Sequence, residues 1–295
     1  MNTGSRPPLV SVIMSVLNGA ATVRAAVRSI QLQTLPDWEL IVIDNGSSDR
    51  TSAIVDGFGD ARIRLIREAP GAGLATRLNQ AVSLSRGEFI ARMDADDVCF
   101  PERLERQVAR LQQDVRLDVL GCGAVVFGED AQLIGEMPVG LTHDEITARP
   151  FHGFPFPHPT WCGRAVWFRD NPYDSRLMKA EDQDLILRSF RKSRLASLDC
   201  VLLGYRQNQL DLAKLLPGRR TFIGSLWRYG RQSGEILPAL MGIATHVAKG
   251  AVDIGTVGLG FNRPAQGYRL KSISPSIRQR WQDLQGLLPP IELSV

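Results

Sequence analysis

Three carboxylates fall within four positions of FIARMDADD, residues 89–97: Asp94, Asp96 and Asp97. Like charges that close repel, and each raises its neighbours' pKa unless something neutralises the set. A hard divalent cation, Mn2+ or Mg2+, is the expected partner, held by one or two carboxylates and completed by phosphate oxygens. Two more acids stand where chemistry is expected. Asp44 ends the apolar run of WELIVIDNGSSDRT, and Asp182 opens the helix-like AEDQDLILR. A helix start favours an ionised carboxylate, which suits a general base. Each acid also has a bland reading, as an acidic turn or a first-turn cap. A DxD tripeptide alone says little in a chain with 31 acidic residues. Placement directly after a buried strand is what raises its weight.

The elements around these residues set that placement. Val10–Leu17 is a continuous, β-branched apolar run that reads as a buried strand. Val23, Val27 and Ile30 then follow at helical spacing. Glu39–Ile43, Arg62–Arg67 and Glu88–Met93 read as strands. They are separated by helices around Ile54 and Val55 and over Gly73–Ser85, and a further helix starts at Pro101. This rhythm implies right-handed crossovers and a mainly parallel sheet. Asp44 and the Asp94–Asp96 pair then share one sheet edge, beyond the carboxyl ends of the strands.

From residue 118 the rhythm changes. Leu117–Phe127, Leu133–Met137, Thr160–Phe168 and Leu195–Tyr205 read as strands, and Glu181–Lys192 as a helix. PFHGFPFPHP holds four prolines and reads as irregular. Trp161 and Trp167 would share a face of the 160–168 strand, either as core or as a stacking surface for sugar. Residues 234–260 form a long apolar segment with His246, Lys249 and Asp253 on one helical face and room for a Lys249–Asp253 pair. Such a helix either packs on the rest of the chain or lies at a membrane surface.

The 295-residue chain is 44% hydrophobic and 22% charged, the balance of an ordinary globular protein. Its net charge is +4, with the basic excess in the last third. A basic region alone, without a base-stacking motif, does not argue for nucleic acid. Four cysteines without CxxC spacing suit reduced thiols in a cytoplasmic protein. The N-terminal apolar run is too short and too β-branched for a secretory signal, and no uninterrupted apolar run reaches membrane-spanning length.

Five stretches in order resemble one family: VSVIMSVLNGAATVRAAVRSIQLQT, WELIVIDNGSSDRT, GLATRLNQAVSLSRGEFIARMDADD with PERLERQ, HPT, and AEDQDLILR. Across residues 8–206 the chain is similar to the inverting glycosyltransferases of family 2. The resemblance implies a GT-A fold over residues 1–206: a Rossmann-like α/β domain with a mainly parallel sheet. The basic, amphipathic last third reads as a mostly helical C-terminal region, 207–295, associated with the acceptor or the membrane. The resemblance implies transfer from a nucleoside-diphosphate sugar to an acceptor hydroxyl; the basic, amphipathic last third points to a glycan or lipid-linked acceptor, in cell-surface polysaccharide synthesis, at the inner membrane face. Carried over by position, Asp182 is the catalytic base and Asp44, Asn79, Arg92 and Asp94 bind the donor. Asp96, with Asp94, binds Mn2+ or Mg2+. The chain departs from the family where Asn45 replaces a second acid after Asp44, where Asn171-Pro172 stands before Tyr173 in place of a glycine, and where no histidine follows Arg206.

Two other readings stay open. A sugar-1-phosphate nucleotidyltransferase would carry a basic, glycine-rich loop after the first strand, where this chain reads SVLNGAATV. A non-catalytic scaffold that binds nucleotide sugars would not need Asp44, Asp94, Asp96 and Asp182 together. GAGLAT, residues 71–76, resembles a dinucleotide loop but reads as a tight turn, because Pro70 interrupts the approach and Thr76 takes the third glycine's place. His158, in the HPT stretch, faces either a substrate or a backbone partner.

Overall fold

Every residue of Trp38–Asp44 (β2) is buried, as are all but one of Val10–Val16 (β1). Strands buried on both faces need helices on both sides, and the chain supplies them. A computed structural model describes residues 6–207, 212–258 and 270–289. Val23–Gln31 (α1) follows β1 and Thr51–Asp56 (α2) follows β2; Ile63–Arg67 (β3) and Leu74–Leu84 (α3) lead into Phe89–Arg92 (β4). Val98–Cys99 (β5), Arg103–Gln113 (α4), Val119–Phe127 (β6) and Leu133–Glu136 (β7) come next. After them run His143–Thr147 (α5), Cys162–Arg164 (β8), Ala165–Asp170 (α6), Glu181–Ser189 (α7) and Leu195–Arg206 (β9). Single 3-10 turns at Pro150–His152 and His158–Thr160 punctuate the proline-rich loop.

The strands form one sheet in the order β3-β2-β1-β4-β8-β6-β9-β5, with β7 paired to β6. β1, β2, β3 and β4 run parallel, β8 is antiparallel to both β4 and β6, and β9 is parallel to β6. Alternate residues serve two cores. Val10, Val12 and Met14 pack with Val27 and Ile30 of α1 and with Leu104 and Val108 of α4. Ile13, Ile41 and Ile43 pack with Leu78 and Val82 of α3 and with Leu185 and Ile186 of α7. The register aligns Val16 with Asp44 and Ile13 with Arg92, so the carboxyl ends of β1, β2 and β4 open at one edge.

Leu212–Ser233 (α8) and Ile236–Gly258 (α9) form a hairpin, turned through Gly234 at φ +78°. The helices approach closely at Gly230, where an added Cβ would lie 2.5 Å from the Ala239 Cβ. Arg228 of α8 reaches Asp184 of α7 at 3.2 Å, tying the hairpin to the helix that starts at the predicted base. Pro275–Leu287 (α10), capped by Ser274, sends Trp281 and Leu284 into the main core.

One expectation needs correction. Thr160–Phe168 is not one strand: it divides into a 3-10 turn, β8 and α6. Trp161 and Trp167 therefore share no strand face. Both are buried, their rings edge-to-face at 6.5 Å, and they belong to the core. Asp253 is met by Arg219 of α8 at 2.5 Å. Within the described residues, no helix is long and apolar enough to cross a membrane.

Candidate active site

The crowded acids follow β4, and Arg92 is what faces them. Its guanidinium is 3% exposed and grips Asp94 with both terminal nitrogens, Nη1 to Oδ2 at 2.7 Å and Nη2 to Oδ1. Burial works against the charge, but Asp94, Tyr173, Asp97 and Glu181 together hold Arg92 more firmly protonated than usual. The Arg92 backbone is fixed in turn. Its N–H donates to Trp161 O at 2.8 Å, and its carbonyl accepts from Nη2 of the buried Arg103 at 2.8 Å. Arg92 neutralises one acid, not three.

The other two acids diverge. Asp97 is 1% exposed; its Oδ1 accepts from the Arg206 N–H at 2.9 Å, while its Oδ2 is buried with no hydrogen-bond partner. Burial, and then the charges of Asp94 and Asp96, push this carboxyl well above its usual range. Asp96 is exposed, with its carboxyl pushed up to about 6 by its crowded surroundings and then by Asp94. Each acid offers one oxygen, and these three oxygens lie within 4.8 Å of one another. An all-carboxylate oxygen set with one orphaned buried oxygen fits a hard divalent cation.

Across the cleft, α7 is entered from Ala180, whose backbone is left-handed at φ +55°. That conformation costs a non-glycine residue about 1 kcal/mol, and it turns Glu181 and Asp182 into the cleft. Glu181 is 6% exposed, and its carboxyl is pushed up to about 7 by burial and by Asp182. Asp182 is raised as well, by burial held in check by hydrogen bonds from Gln183. His158 lies 3.9 Å from Glu181 through Nδ1, and its Nε2 pairs with the Tyr173 hydroxyl at 2.7 Å. Burial, with Arg92 nearby, keeps this imidazole neutral. Arg92, Asp94, His158, Glu181, Asp182 and Tyr205 all line one cleft of about 490 Å³.

Asp44 and Asn79 stand apart from that cleft wall. Asp44 is 3% exposed and accepts from the Ser47 N–H at 2.8 Å and from the Ser52 hydroxyl. Burial alone would raise its pKa, but these bonds hold it below the usual value. It organises the turn after β2 at the same sheet edge. That turn is laced to the loop after β1: the N–H groups of Asn18, Gly19 and Ala20 donate to Ser47 Oγ, Thr51 Oγ1 and Asp49 Oδ2. Those amides are therefore engaged where a nucleotidyltransferase would cradle phosphate. Both ends of the Asn79 carboxamide bind the Tyr173 backbone, at 2.8 and 2.9 Å. Its influence on the site runs through Tyr173 to His158.

Three residues emerge here that the sequence left without a role: Glu181 as a partner of Asp182, Tyr173 as the holder of His158, and Arg206. Arg206 donates from Nε to Asp96 O at 3.0 Å and lies over the Phe127 ring. Glu181 was visible as the neighbour of Asp182; nothing local in the sequence pairs Tyr173 with His158.

The sequence profile of Glycosyl transferase family 2 matches residues 11–169, more than half of the chain. The chain belongs to that family. It is 37% identical over 198 residues to EpsE of Bacillus subtilis, a protein bearing a glycosyltransferase name; the match covers 65% of this chain and 69% of EpsE. It is 28% identical over 211 residues to the UDP-Glc:alpha-D-GlcNAc-diphosphoundecaprenol beta-1,3-glucosyltransferase WfgD of Escherichia coli, covering 70% of this chain and 79% of WfgD. The fold is similar to that of the mannosyltransferase PcManGT of Pyrobaculum calidifontis, solved with GDP-Man and Mn2+, at TM-score 0.58 and 18% identity over 96% of this chain and 85% of that one. A mixed α/β GT-A fold and family 2 glycosyltransferase function follow for this chain.

Proposed function

We propose that this family 2 glycosyltransferase works with inversion, moving a sugar from a nucleoside-diphosphate donor to a hydroxyl of a lipid-linked glycan. The observation that carries the reading is the single cleft in which the Arg92–Asp94 pair faces Glu181 and Asp182. One wall suits a diphosphate and the other suits a proton acceptor. Residues 1–206 form the catalytic unit in this reading, with α10 completing its core from the C-terminal region.

Asp182 takes the proton from the acceptor hydroxyl as the oxygen attacks the anomeric carbon. The bond from that carbon to the diphosphate breaks on the opposite face, and its electron pair leaves on the phosphate oxygen. One base therefore suffices, in contrast to the paired carboxylates of a hydrolase. The N-terminus of α7 favours the ionised form of Asp182, against the burial that raises its carboxyl, and Glu181 lines the same cleft beside it. Asp96 and Asp94, with Asp97 behind them, would hold Mn2+ or Mg2+, which when bound supplies positive charge to the departing diphosphate. Arg92 orients Asp94 toward that position.

A thermal-shift screen of UDP-, GDP- and dTDP-sugars with and without Mn2+ tests the donor, since a ligand specific for the native state raises apparent stability. The expected result is a metal-dependent shift for one nucleotide class, lost in Asp96→Ala. Asp182→Asn should abolish transfer and leave that shift intact. A shift lost in Asp182→Asn, or no shift with any nucleotide sugar, would defeat the reading. The exposed apolar side chains of α9, among them Leu237, Leu240, Met241 and Val247, support work at a membrane surface.

A further inference from the structure

A second concavity of about 540 Å³ lies beside the cleft, bounded by α8, α9 and the loop at 152–155. Phe154, Pro155 and Gln183 line both, so the two spaces meet one residue from Asp182. The polar lining of the second is otherwise basic or neutral: His152, Arg219, His246 and Lys249. Asp253 holds Arg219 in place, Nε to Oδ2 at 2.7 Å. His246 is 7% exposed, its ring set edge-to-face against Phe222 at 5.0 Å, and neither ring nitrogen has a hydrogen-bond partner. A buried imidazole left in that condition costs the fold stability. An anion entering the groove would accept the missing hydrogen bond.

α9 is arranged inside out. His246 and Asp253 turn inward with Ala239, while Leu237, Leu240, Met241, Val247, Val252 and Ile254 are exposed. An anionic group carried on a hydrocarbon chain matches both faces, the anion in the groove and the chain along the outer surface. We propose that this groove binds the diphosphate of a lipid-borne acceptor, with His246, Arg219 and Lys249 as its ligands, and so delivers the attached sugar's hydroxyl to Asp182. The proposal rests on the transferase reading above.

The test uses the full chain in EDTA, so that no divalent ion at the Asp94–Asp96 site can hold the probe. Farnesyl diphosphate, inorganic pyrophosphate and farnesol are titrated by calorimetry against the parent, His246→Leu and Lys249→Glu. Farnesyl diphosphate should bind, and each variant should weaken it about tenfold, the effect of one charge-assisted hydrogen bond or ion contact. His246→Leu should melt no lower than the parent, since it removes unpartnered polar atoms. Lys249 is exposed, so its variant keeps the test open should His246→Leu misfold. Unchanged affinity in both variants would overturn the proposal. Pyrophosphate binding as tightly as farnesyl diphosphate would overturn its lipid-borne part. Nucleotide binding with Mn2+, measured separately on the same variants, should stay intact; its absence in the parent would defeat the transferase reading instead.

Discussion

Arg92 is the residue on which the site's electrostatics turn. Its buried guanidinium faces Asp94 directly and Asp97, Glu181 and Tyr173 at longer range. Removing one partner of a buried ion pair leaves an uncompensated charge, at a typical cost of about 3–5 kcal/mol. Arg92→Met should lose stability on that scale in urea unfolding at pH 7. The deficit should shrink toward pH 5, as Glu181 and Asp97, both raised by burial, bind protons; a constant deficit would show that Arg92 acts by packing alone. Glu181 makes a second, opposite prediction. Its folded pKa of about 7 lies above the ordinary 4.5, so the folded state binds more protons between those values. Stability then falls as pH rises from about 4.5 to about 7, by up to about 3 kcal/mol from this group. Glu181→Gln should flatten that slope in a series of melts. The acids themselves were plain in the sequence, because carboxylates after a buried strand stand out. Their partners were not: Tyr173 reaches His158 from 15 positions away, and Arg206 reaches Asp97 from 109.

At the scale of elements, what the sequence showed depended on periodicity. The β1 to α4 alternation was legible because apolar runs such as Leu40–Ile43 of β2 and helical stripes such as Val23, Val27 and Ile30 of α1 stand out. The short elements were not: β5 has two residues, and α6 follows β8 with no turn residue between them. α10 was invisible as part of the core, since a helix reading PSIRQRWQDLQGL has one large apolar anchor. That anchor is Trp281, packed on Phe127 at 4.8 Å and on Phe100 at 6.2 Å, with Nε1 donating to Ala131 O at 3.0 Å. Gly204 of β9 makes room for it: a Cβ there would lie 2.4 Å from the indole. Trp281→Ala should cost about 3–5 kcal/mol, measured by denaturant midpoint. Gly204→Val should displace α10 and lose a comparable amount. A stable Trp281→Ala would mean that α10 only rests on the core.

At the scale of the whole molecule, the sheet edge and the α8–α9 hairpin are mechanically joined. Asp184 lies two residues after Asp182 and binds both Arg188 of its own helix and Arg228 of α8. Whatever surface the hairpin rests on is thereby held in register with the base. α9 exposes Leu237, Leu240, Met241, Val247, Val252 and Ile254, the chain's net charge is +4, and among the described residues no helix is long and apolar enough to span a bilayer. Those properties suit a helix lying in an interface, whose affinity combines buried apolar area with attraction to anionic lipid. The chain should therefore float with vesicles containing phosphatidylglycerol and much less with pure phosphatidylcholine, and raised salt should weaken the first interaction. Leu240→Glu with Met241→Glu should abolish flotation, because both side chains sit on the outer face. The same double variant should keep its melting temperature and its Mn2+-dependent nucleotide binding, since neither residue touches the cleft. Flotation that survives the double substitution would move the membrane contact to another face and free α9 for a different partner.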